Sequence, residues 1–412
     1  MRILHVNKFL YRRGGAEGYM DDLASLQVAS GDTVAFFAME HPQNRADEHQ
    51  RHFPPYLELA PPPESLLGKA KATARIMYSR SARSGIDEVL DAFEPDIVHL
   101  HNIYEHLSPS ILRPVKKRNV PAVMTLHDYK LACPTYQFLD HGRICEACLG
   151  GRFHNAVLRR CKDGSLSAST VCAVETFVHS VTRAYAPISR FICPSRFMEE
   201  KMRAAGVFPD RLRHIRHFIE TANIAVKETA GGPVVFAGRL SAEKGVDVLV
   251  DAMTFLPADA RLEVAGDGPE RDALRAQADR LAPGRVHFHG RLEMPELHAL
   301  IRSASVLAMP SRWYENQPMI VLESFACGVP VVASDLGGAP ELIEPGVDGE
   351  LVPPNDPSAL AAALVSFLDR PTDALAAGGA GREKVARDFS PQVHVQRLAE
   401  LYEEARGVLR PG

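Results

Sequence analysis

Two glutamates, Glu315 and Glu323, are separated by seven residues in the run Pro310-Ser311-Arg312-Trp313-Tyr314-Glu315-Asn316-Gln317-Pro318-Met319-Ile320-Val321-Leu322-Glu323. Pro318 suits the first turn of a helix, so the spacing predicts Glu315 in a loop and Glu323 on the helix that follows. Free backbone N–H groups near 316–319, from the residues other than Pro318, would then line the space between the carboxylates. Such a place holds several hydroxyls and an anion together. Hydrolysis by a carboxylate pair needs the two groups to flank one bond, which is a different arrangement. Two solvated glutamates are the plain alternative. Upstream, Gly238-Arg239-Leu240-Ser241-Ala242-Glu243-Lys244-Gly245 puts Arg239 and Lys244 on one short loop between an apolar run and a helix. Two cations beside a helix N-terminus suit a diphosphate; surface charge is the alternative. Gly14-Gly15 follows the first apolar run in the same way. Paired glycines permit φ > 0 and close approach of a ligand to the backbone, and a helix N-terminus favours an anion. An ordinary turn is the alternative here. Gly266-Asp267-Gly268 also follows an apolar run but lacks the third glycine of a dinucleotide fingerprint.

The cysteines form a second constellation. Cys133, Cys145, Cys148 and Cys161 read C-x11-C-x2-C-x12-C. A C-x2-C pair is the usual chelating half of a structural zinc site, and two further thiolates complete a tetrahedron. His141 and His154 are spare donors. Four reduced cysteines packed in a loop, or a redox pair, stay open as alternatives. Seven cysteines in 412 residues exclude a disulfide-built secreted scaffold. Cys172, Cys193 and Cys327 sit in segments that read as buried packing.

The elements that must position these residues alternate between short apolar runs and helix-length amphipathic segments. Strands are expected at Ile3–Asn7, Thr33–Met39, Ile97–His101, Ala122–His127 and Phe191–Pro194. Helices are expected at Glu17–Ala29, Ser65–Phe93, near Ser167–Tyr185 and near Arg196–Ala205. A second series of strands runs Val234–Ala237, Leu262–Ala265, Val286–His289, Val306–Met309, Val331–Ala333 and Glu350–Val352. Alternation of this kind predicts an α/β protein with parallel sheets covered on both faces. Two doubly wound, Rossmann-like domains facing each other across a cleft follow from it, with ligands at the carboxyl ends of the strands. The boundaries read 1–219, 220–390 and 391–412. The first domain carries an insertion at 131–164, too long for an ordinary βα connection. The last segment is a helix expected to cross back to the first domain.

Composition narrows the function classes. Forty-seven basic against 51 acidic side chains give a net charge of −4, so no nucleic-acid partner is expected. No apolar run reaches the roughly 18 residues that span a bilayer. The first residues read as a strand without a signal-peptide core, so a cytoplasmic protein is expected. Ser65–Arg83 carries Lys69, Lys71, Arg75, Arg80 and Arg83 among Leu66, Leu67, Ile76 and Met77. It reads either as a basic amphipathic helix touching anionic lipid at the inner face of the cytoplasmic membrane or as a solvated face.

Taken in order, these pieces resemble the family 4 glycosyltransferases of the GT-B fold. The set is Gly14-Gly15, Ile97-Val98-His99-Leu100-His101, Thr125-Leu126-His127-Asp128, Ala237-Gly238-Arg239-Leu240 with Lys244, Gly266 to Glu270, the Glu315/Glu323 pair, and Gly337-Gly338 through Glu341. The resemblance covers nearly the whole chain. It implies transfer of a sugar, with retention, from a UDP- or GDP-sugar type of donor to a glycan or lipid-linked acceptor, in surface polysaccharide or glycolipid synthesis. It implies Arg239 and Lys244 on the diphosphate, Glu323 on the ribose, and Glu315 facing the donor sugar beside the 316–318 backbone. Gly15 would let the first domain close on the phosphates, and His127 would position the transferred sugar. No cofactor is then required for catalysis, because the two cations supply the charge a metal would bring. Some relatives carry a similar cysteine-bearing segment after the His127-Asp128-Tyr129 motif. Two departures stand out. Asn316-Gln317-Pro318 replaces a glycine-containing segment, which leaves the donor sugar undefined, and His217-Phe218 replaces a common Asn-Gly in the linker. Alternative readings are another enzyme of the same fold, an epimerase or phosphorylase, and a zinc-dependent nucleic-acid-binding module centred on 133–161.

Overall fold

Short apolar runs that each return through a helix to the same edge build parallel sheets, because a helical crossover carries the chain back to start the next strand in the same direction. A computed structural model describes residues 1–59 and 65–409. The chain divides into two compact units. The first comprises Met1–Phe138, Cys145–Ile215 and the chain from His394 on; the second comprises Leu139–Ile144 and Arg216–Val393. Residues 410–412 of the expected last segment, and the side chains of Leu66, Val408 and Leu409, lie outside the described residues.

In the first unit, β1 (Arg2–Val6), β2 (Thr33–Phe37), β3 (Ile97–Leu100) and β4 (Ala122–Thr125) precede a small hairpin, β5 (Leu139–Asp140) and β6 (Arg143–Ile144). The hairpin itself groups with the second unit. Then come β7 (Arg190–Cys193) and β8 (Leu212–His214). The parallel sheet runs β2-β1-β3-β4-β7-β8. The helices are α1 (Gly15–Ala29), α2 (Leu66–Met77), α3 (Arg80–Phe93), α4 (Leu112–Lys117), α5 (His154–Leu158), α6 (Leu166–Val181) and α7 (Arg196–Ala204). Every residue of β3 and β4 is buried, as a parallel sheet covered on both faces requires. The order reverses between β1 and β3, so this edge is a switch point where ligands bind.

Three local readings needed correction. The segment 65–93 is two helices, because Tyr78 and Ser79 are extended and the Ser79 hydroxyl accepts from the Ala82 N–H at 3.2 Å. A serine cap starts a new helix there, so Ser65–Arg83 is not one continuous amphipathic face. The strand β8 has no apolar run to announce it and pairs at the sheet edge with β7. The insertion at 131–164 contains β5, β6 and the short α5.

The second unit holds β9 (Val234–Ala237), β10 (Leu262–Ala265), β11 (Val286–Gly290), β12 (Val306–Met309), β13 (Val331–Ser334) and β14 (Gly349–Val352). Its parallel sheet runs β11-β10-β9-β12-β13-β14. The helices are α8 (Val246–Ala252), α9 (Arg271–Leu281), α10 (Met294–Ser303), α11 (Met319–Ala326), α12 (Pro357–Leu368) and α13 (Pro371–Asp388). Side chains alternate across the sheet. Val234, Phe236, Val306 and Ala308 enter one core, while Val235, Leu307, Met309 and Val331 enter the other. The last helix, α14 (Pro391–Leu409), belongs to the first unit from His394 on.

Candidate active site

In the second unit the strand order reverses between β9 and β12, and the loops 238–245 and 310–318 leave their carboxyl ends. Close backbone contacts lock these loops together. The Arg312 N–H donates to the Glu243 carbonyl at 2.8 Å. Gly245 has φ +67°, and a Cβ there would fall 2.1 Å from the Pro310 carbonyl oxygen. Gly337 also has φ +67°, and its Cβ would lie 2.6 Å from the Glu315 carbonyl oxygen. The Gly338 N–H donates to that same oxygen at 2.7 Å. No other residue permits either approach.

This packing brings together side chains 71 positions apart: Lys244 Nζ lies 2.7 Å from Glu315 Oε1. The Ser311 hydroxyl donates to the same oxygen at 2.7 Å, and the ammonium lies 5.4 Å from the Trp313 ring centre. Burial pushes the Glu315 carboxyl up, but the Lys244 charge and the hydrogen bonds from Lys244 and Ser311 outweigh it and hold the pKa below its ordinary value. Arg239 is different. It is exposed at the end of β9 and makes no ion pair or side-chain hydrogen bond among the described residues. The loop therefore presents one compensated cation and one uncompensated cation.

Asn316, Gln317 and Pro318 follow directly. The Gln317 side chain is committed to the chain itself: its Oε1 accepts from the His217 N–H at 2.8 Å and its Nε2 donates to the His217 carbonyl at 3.3 Å. Gln317 thus holds the backbone of His217 through both of its amide atoms. Pro318 precedes α11 as an extended cap residue rather than forming its first turn. Glu323 is half-buried on α11, as its spacing from Glu315 predicts, and its charge reaches the Cys327 thiol.

In the first unit His127 lies just beyond β4. Burial, then the nearby Lys8 ammonium, lowers its pKa to about 3. Asp128 is opposite in sense: burial raises its carboxyl to about 6. His127 Nε2 is 3.1 Å from His101 Nδ1, and His101 Nε2 is 3.0 Å from His5 Nδ1. Gln27 Oε1 lies 2.7 Å from His5 Nε2. Gly14 and Gly15 open α1 without the positive φ expected of them: Gly14 has φ −161°, which any residue adopts. A Cβ at Gly14 would make only ordinary contact, and one at Gly15 would meet nothing within 4 Å. The chain's own packing does not demand glycine at either position.

The sequence reading missed Lys8 and the buried partners of His127. The available signal was three histidines, His5, His99 and His101, inside or at the end of apolar strands, where polar rings persist only if hydrogen-bonded. Among the described residues, this trio is the group whose ligand atoms all lie within 4.8 Å of one another. Each of its ring nitrogens already has a hydrogen-bond partner, so its lone pairs are committed.

The four cysteines of the insertion converge more loosely. Cys133 and Cys148 are buried, and Cys145 and Cys161 are half-buried. Burial, followed by the charges of Cys133, Cys161 and Cys145, pushes the Cys148 thiol up to about 12. Cys172, Cys193 and Cys327 are buried.

Comparison with known proteins places this geometry. A family model described as Glycosyltransferase Family 4 matches residues 13–223, and one described as Glycosyl transferases group 1 matches residues 232–370. Glycogen synthase of Mycobacterium tuberculosis is 32% identical, with 71% of each chain covered. A GDP-mannose-dependent phosphatidylinositol monomannoside mannosyltransferase of Corynebacterium glutamicum is 36% identical over 40% of this chain and 45% of its own. Among solved structures, sucrose-phosphate synthase of Thermosynechococcus elongatus superposes with a TM-score of 0.74 at 21% identity, covering 99% of both chains. HepE of Anabaena, in complex with UDP-glucose, superposes with a TM-score of 0.67 at 20% identity, covering 98% of this chain and 100% of its own. Two parallel-sheet α/β units carrying these motifs in this order make the chain a GT-B glycosyltransferase, and it belongs to family 4.

Proposed function

We propose that the enzyme is a retaining transferase that moves a sugar from a nucleoside-diphosphate donor to a hydroxyl of a glycan or lipid-linked acceptor. The observation that carries this reading is the Lys244–Glu315–Ser311 cluster beside the uncompensated Arg239 at the switch point of the second sheet. The cations stabilise the diphosphate as the sugar–phosphate bond breaks. The Glu315 carboxylate, held ionised by Lys244, accepts hydroxyls of the donor sugar, and Glu323 takes the ribose. The backbone at 316–318 and Gly14-Gly15 supply close approach to sugar and phosphates. In the first unit, His127, a ring that burial keeps neutral, is proposed to position the sugar as positive charge develops on it. The new bond from the acceptor oxygen forms on the face that the phosphate leaves, and the hydroxyl proton passes to the departing phosphate oxygen. No protein nucleophile and no catalytic metal enter this scheme. A relative uses GDP-mannose and a structural neighbour holds UDP-glucose, which supports a UDP- or GDP-sugar donor. A panel of nucleotide sugars tests the reading: one nucleoside diphosphate should raise the thermal midpoint and its sugar donor should be hydrolysed slowly. No response to any member overturns it. Glu323→Ala should abolish transfer with the fold intact, and full activity in that variant contradicts its assignment.

The insertion is proposed to hold a structural zinc ion. The all-thiol donor set with its C-x2-C pair suits a tetrahedral site, and the charges of Cys133, Cys161 and Cys145 all reach the Cys148 thiol. Metal analysis of freshly purified protein should give about one zinc per chain, lost in Cys145→Ser/Cys148→Ser; wild type without zinc rules it out.

A peripheral contact with anionic membrane is proposed on α6 rather than on the broken 65–83 segment. Leu166, Val174, Phe177, Val178 and Val181 are 53%, 45%, 55%, 38% and 65% exposed. The adjoining α2 presents exposed Lys69 and Lys71. An apolar stripe with a cationic rim suits an anionic lipid surface. Among the described residues no helix is long and apolar enough to cross a membrane. Wild type should sediment with anionic but not zwitterionic vesicles, and Phe177→Ser/Val181→Ser should stay in solution. Equal partition of the two proteins overturns this surface.

A further inference from the structure

Hydrogen-bond directions in the first unit's histidine network are not independent. A neutral imidazole has one donor nitrogen and one acceptor nitrogen. Burial holds His5 and His127 neutral, with pKa values lowered to about 4 and about 3. Gln27 Oε1 can only accept, and it lies 2.7 Å from His5 Nε2. The His5 proton is therefore on Nε2, and its bare Nδ1 accepts from His101 Nε2 at 3.0 Å. His101 is fully buried, which disfavours its charged form, so its Nδ1 is bare and accepts from His127 Nε2 at 3.1 Å. With the Gln27 amide in this orientation the proton of His127 lies on Nε2, and Nδ1 is the acceptor nitrogen of the ring.

The other branch runs in the matching sense. Gln27 Nε2 donates to the Tyr402 hydroxyl at 3.1 Å. That hydroxyl donates to His99 Nδ1 at 2.7 Å, and His99 Nε2 donates to Thr125 Oγ1 at 2.7 Å. Thr125 is hydrogen-bonded to the Tyr19 hydroxyl, which reaches His394 Nε2 at 2.9 Å. The parallel register explains why one amide can govern so many groups. His5 pairs directly with His99 across β1 and β3, and His101 follows at the end of β3. The network has two self-consistent directions. Turning the Gln27 amide over would reverse every bond and give His127 an Nδ1–H in place of the lone pair.

We propose that Gln27 is a positioning residue: acting through His5 and His101, it sets the tautomer of His127 so that Nδ1 is an acceptor for the substrate. The proposal rests on the role given to His127 above. An acceptor nitrogen can hold a sugar hydroxyl and favours positive charge developing nearby, whereas an N–H would oppose that charge. The same chain of bonds makes Tyr402 and His394, both on α14, parties to the state of a ring that follows β4.

Nitrogen-15 imidazole spectra of the full chain without donor test the assignment. His127 should show a protonated Nε2 and a bare Nδ1; the opposite tautomer, or an equal mixture, overturns it. Gln27→Met removes the amide and should give both tautomers of His127, with kcat lowered at least about tenfold and KM little changed. Gln27→Glu keeps an acceptor on His5 and should restore the wild-type tautomer. If Gln27→Met does not fold, Tyr402→Phe removes a single oxygen, frees the other end of the amide and should give the same mixture. An unchanged His127 spectrum in both variants overturns the proposal. If the spectra behave as expected while His127→Ala transfers sugar at the wild-type rate, the tautomer assignment stands and the catalytic reading of His127 falls.

Discussion

Toward the carboxyl edge of the first unit's sheet the polar groups are hydrogen-bonded imidazole rings, His5, His99, His101 and His127. At the corresponding edge of the second unit's sheet they are a paired ammonium and carboxylate, Lys244 and Glu315. The glycines differ as well. Gly245 and Gly337 are demanded by the second unit's own backbone, with φ +67° and contacts that no Cβ survives, whereas nothing in the chain presses on Gly15. Paired glycines between strand and helix look alike in sequence, yet they differ in what surrounds them. One set lets two loops of the protein meet; at Gly15 a Cβ would meet no neighbour within 4 Å.

The sharpest way to break this comparison is to remove a charge from the second edge. Lys244→Ala should lower kcat by roughly 10²–10³-fold. It should also destabilise the second unit by about 2 kcal/mol, because Glu315 is left buried without its cation. The loss is modest because the Lys244 side chain is 25% exposed and solvent screens the pair. Steady-state kinetics and urea unfolding read both effects, and unchanged kcat breaks the assignment. Next in size is Gly337→Ala, expected to cost about 2–3 kcal/mol through a left-handed φ and a clash with the Glu315 backbone. Wild-type stability in that variant would mean the loops are not locked as described.

Acid should separate the two units. His5, His106 and His127 have folded pKa values of about 4, about 4 and about 3, chiefly through burial, against 6.5 unperturbed. Each binds a proton less well when folded, so its contribution is complete above pH 6.5 and is lost as pH falls toward 4. Asp128 works the other way, since burial raises it to about 6 and its contribution is lost as pH rises through that value. Three rings outweigh one carboxyl, so the first unit should lose stability between pH 6.5 and 4 ahead of the second. Hydrogen exchange followed unit by unit measures this, and equal loss in both removes the contrast. The smallest effect is expected at Gly15→Ala. Its stability should stay within about 0.5 kcal/mol of wild type, so any larger fall in transfer reports approach of the donor to that backbone.

Much of the second unit's loop was legible because its spacing is local: Glu315 lies in the loop and Glu323 on the helix, although Pro318 caps that helix instead of opening its first turn. The pairing of Glu315 with Lys244 was not, since it arises where two strands adjacent in the sheet release loops 71 positions apart. The alternation of apolar runs and helices gave both sheets, but the ends drifted by one or two residues where the last strand residues turn into loop. β8 stayed hidden because Leu212-Arg213-His214 has no apolar pattern. The histidine network required register. Only knowing that His5 pairs with His99 turns scattered rings into a connected set.

The placement of α14 has a consequence for synthesis. Tyr402 and His394, which complete the first unit's buried network, are the last parts of it to leave the ribosome, after all of Arg216–Val393. Chains grow by roughly 5–20 residues per second and domains generally fold as units. The second unit therefore has its whole sequence available while the first still waits for a helix. A nascent first unit must keep His99 and Gln27 without their tyrosine partner for that interval, which makes the earliest part of the chain the last to be finished.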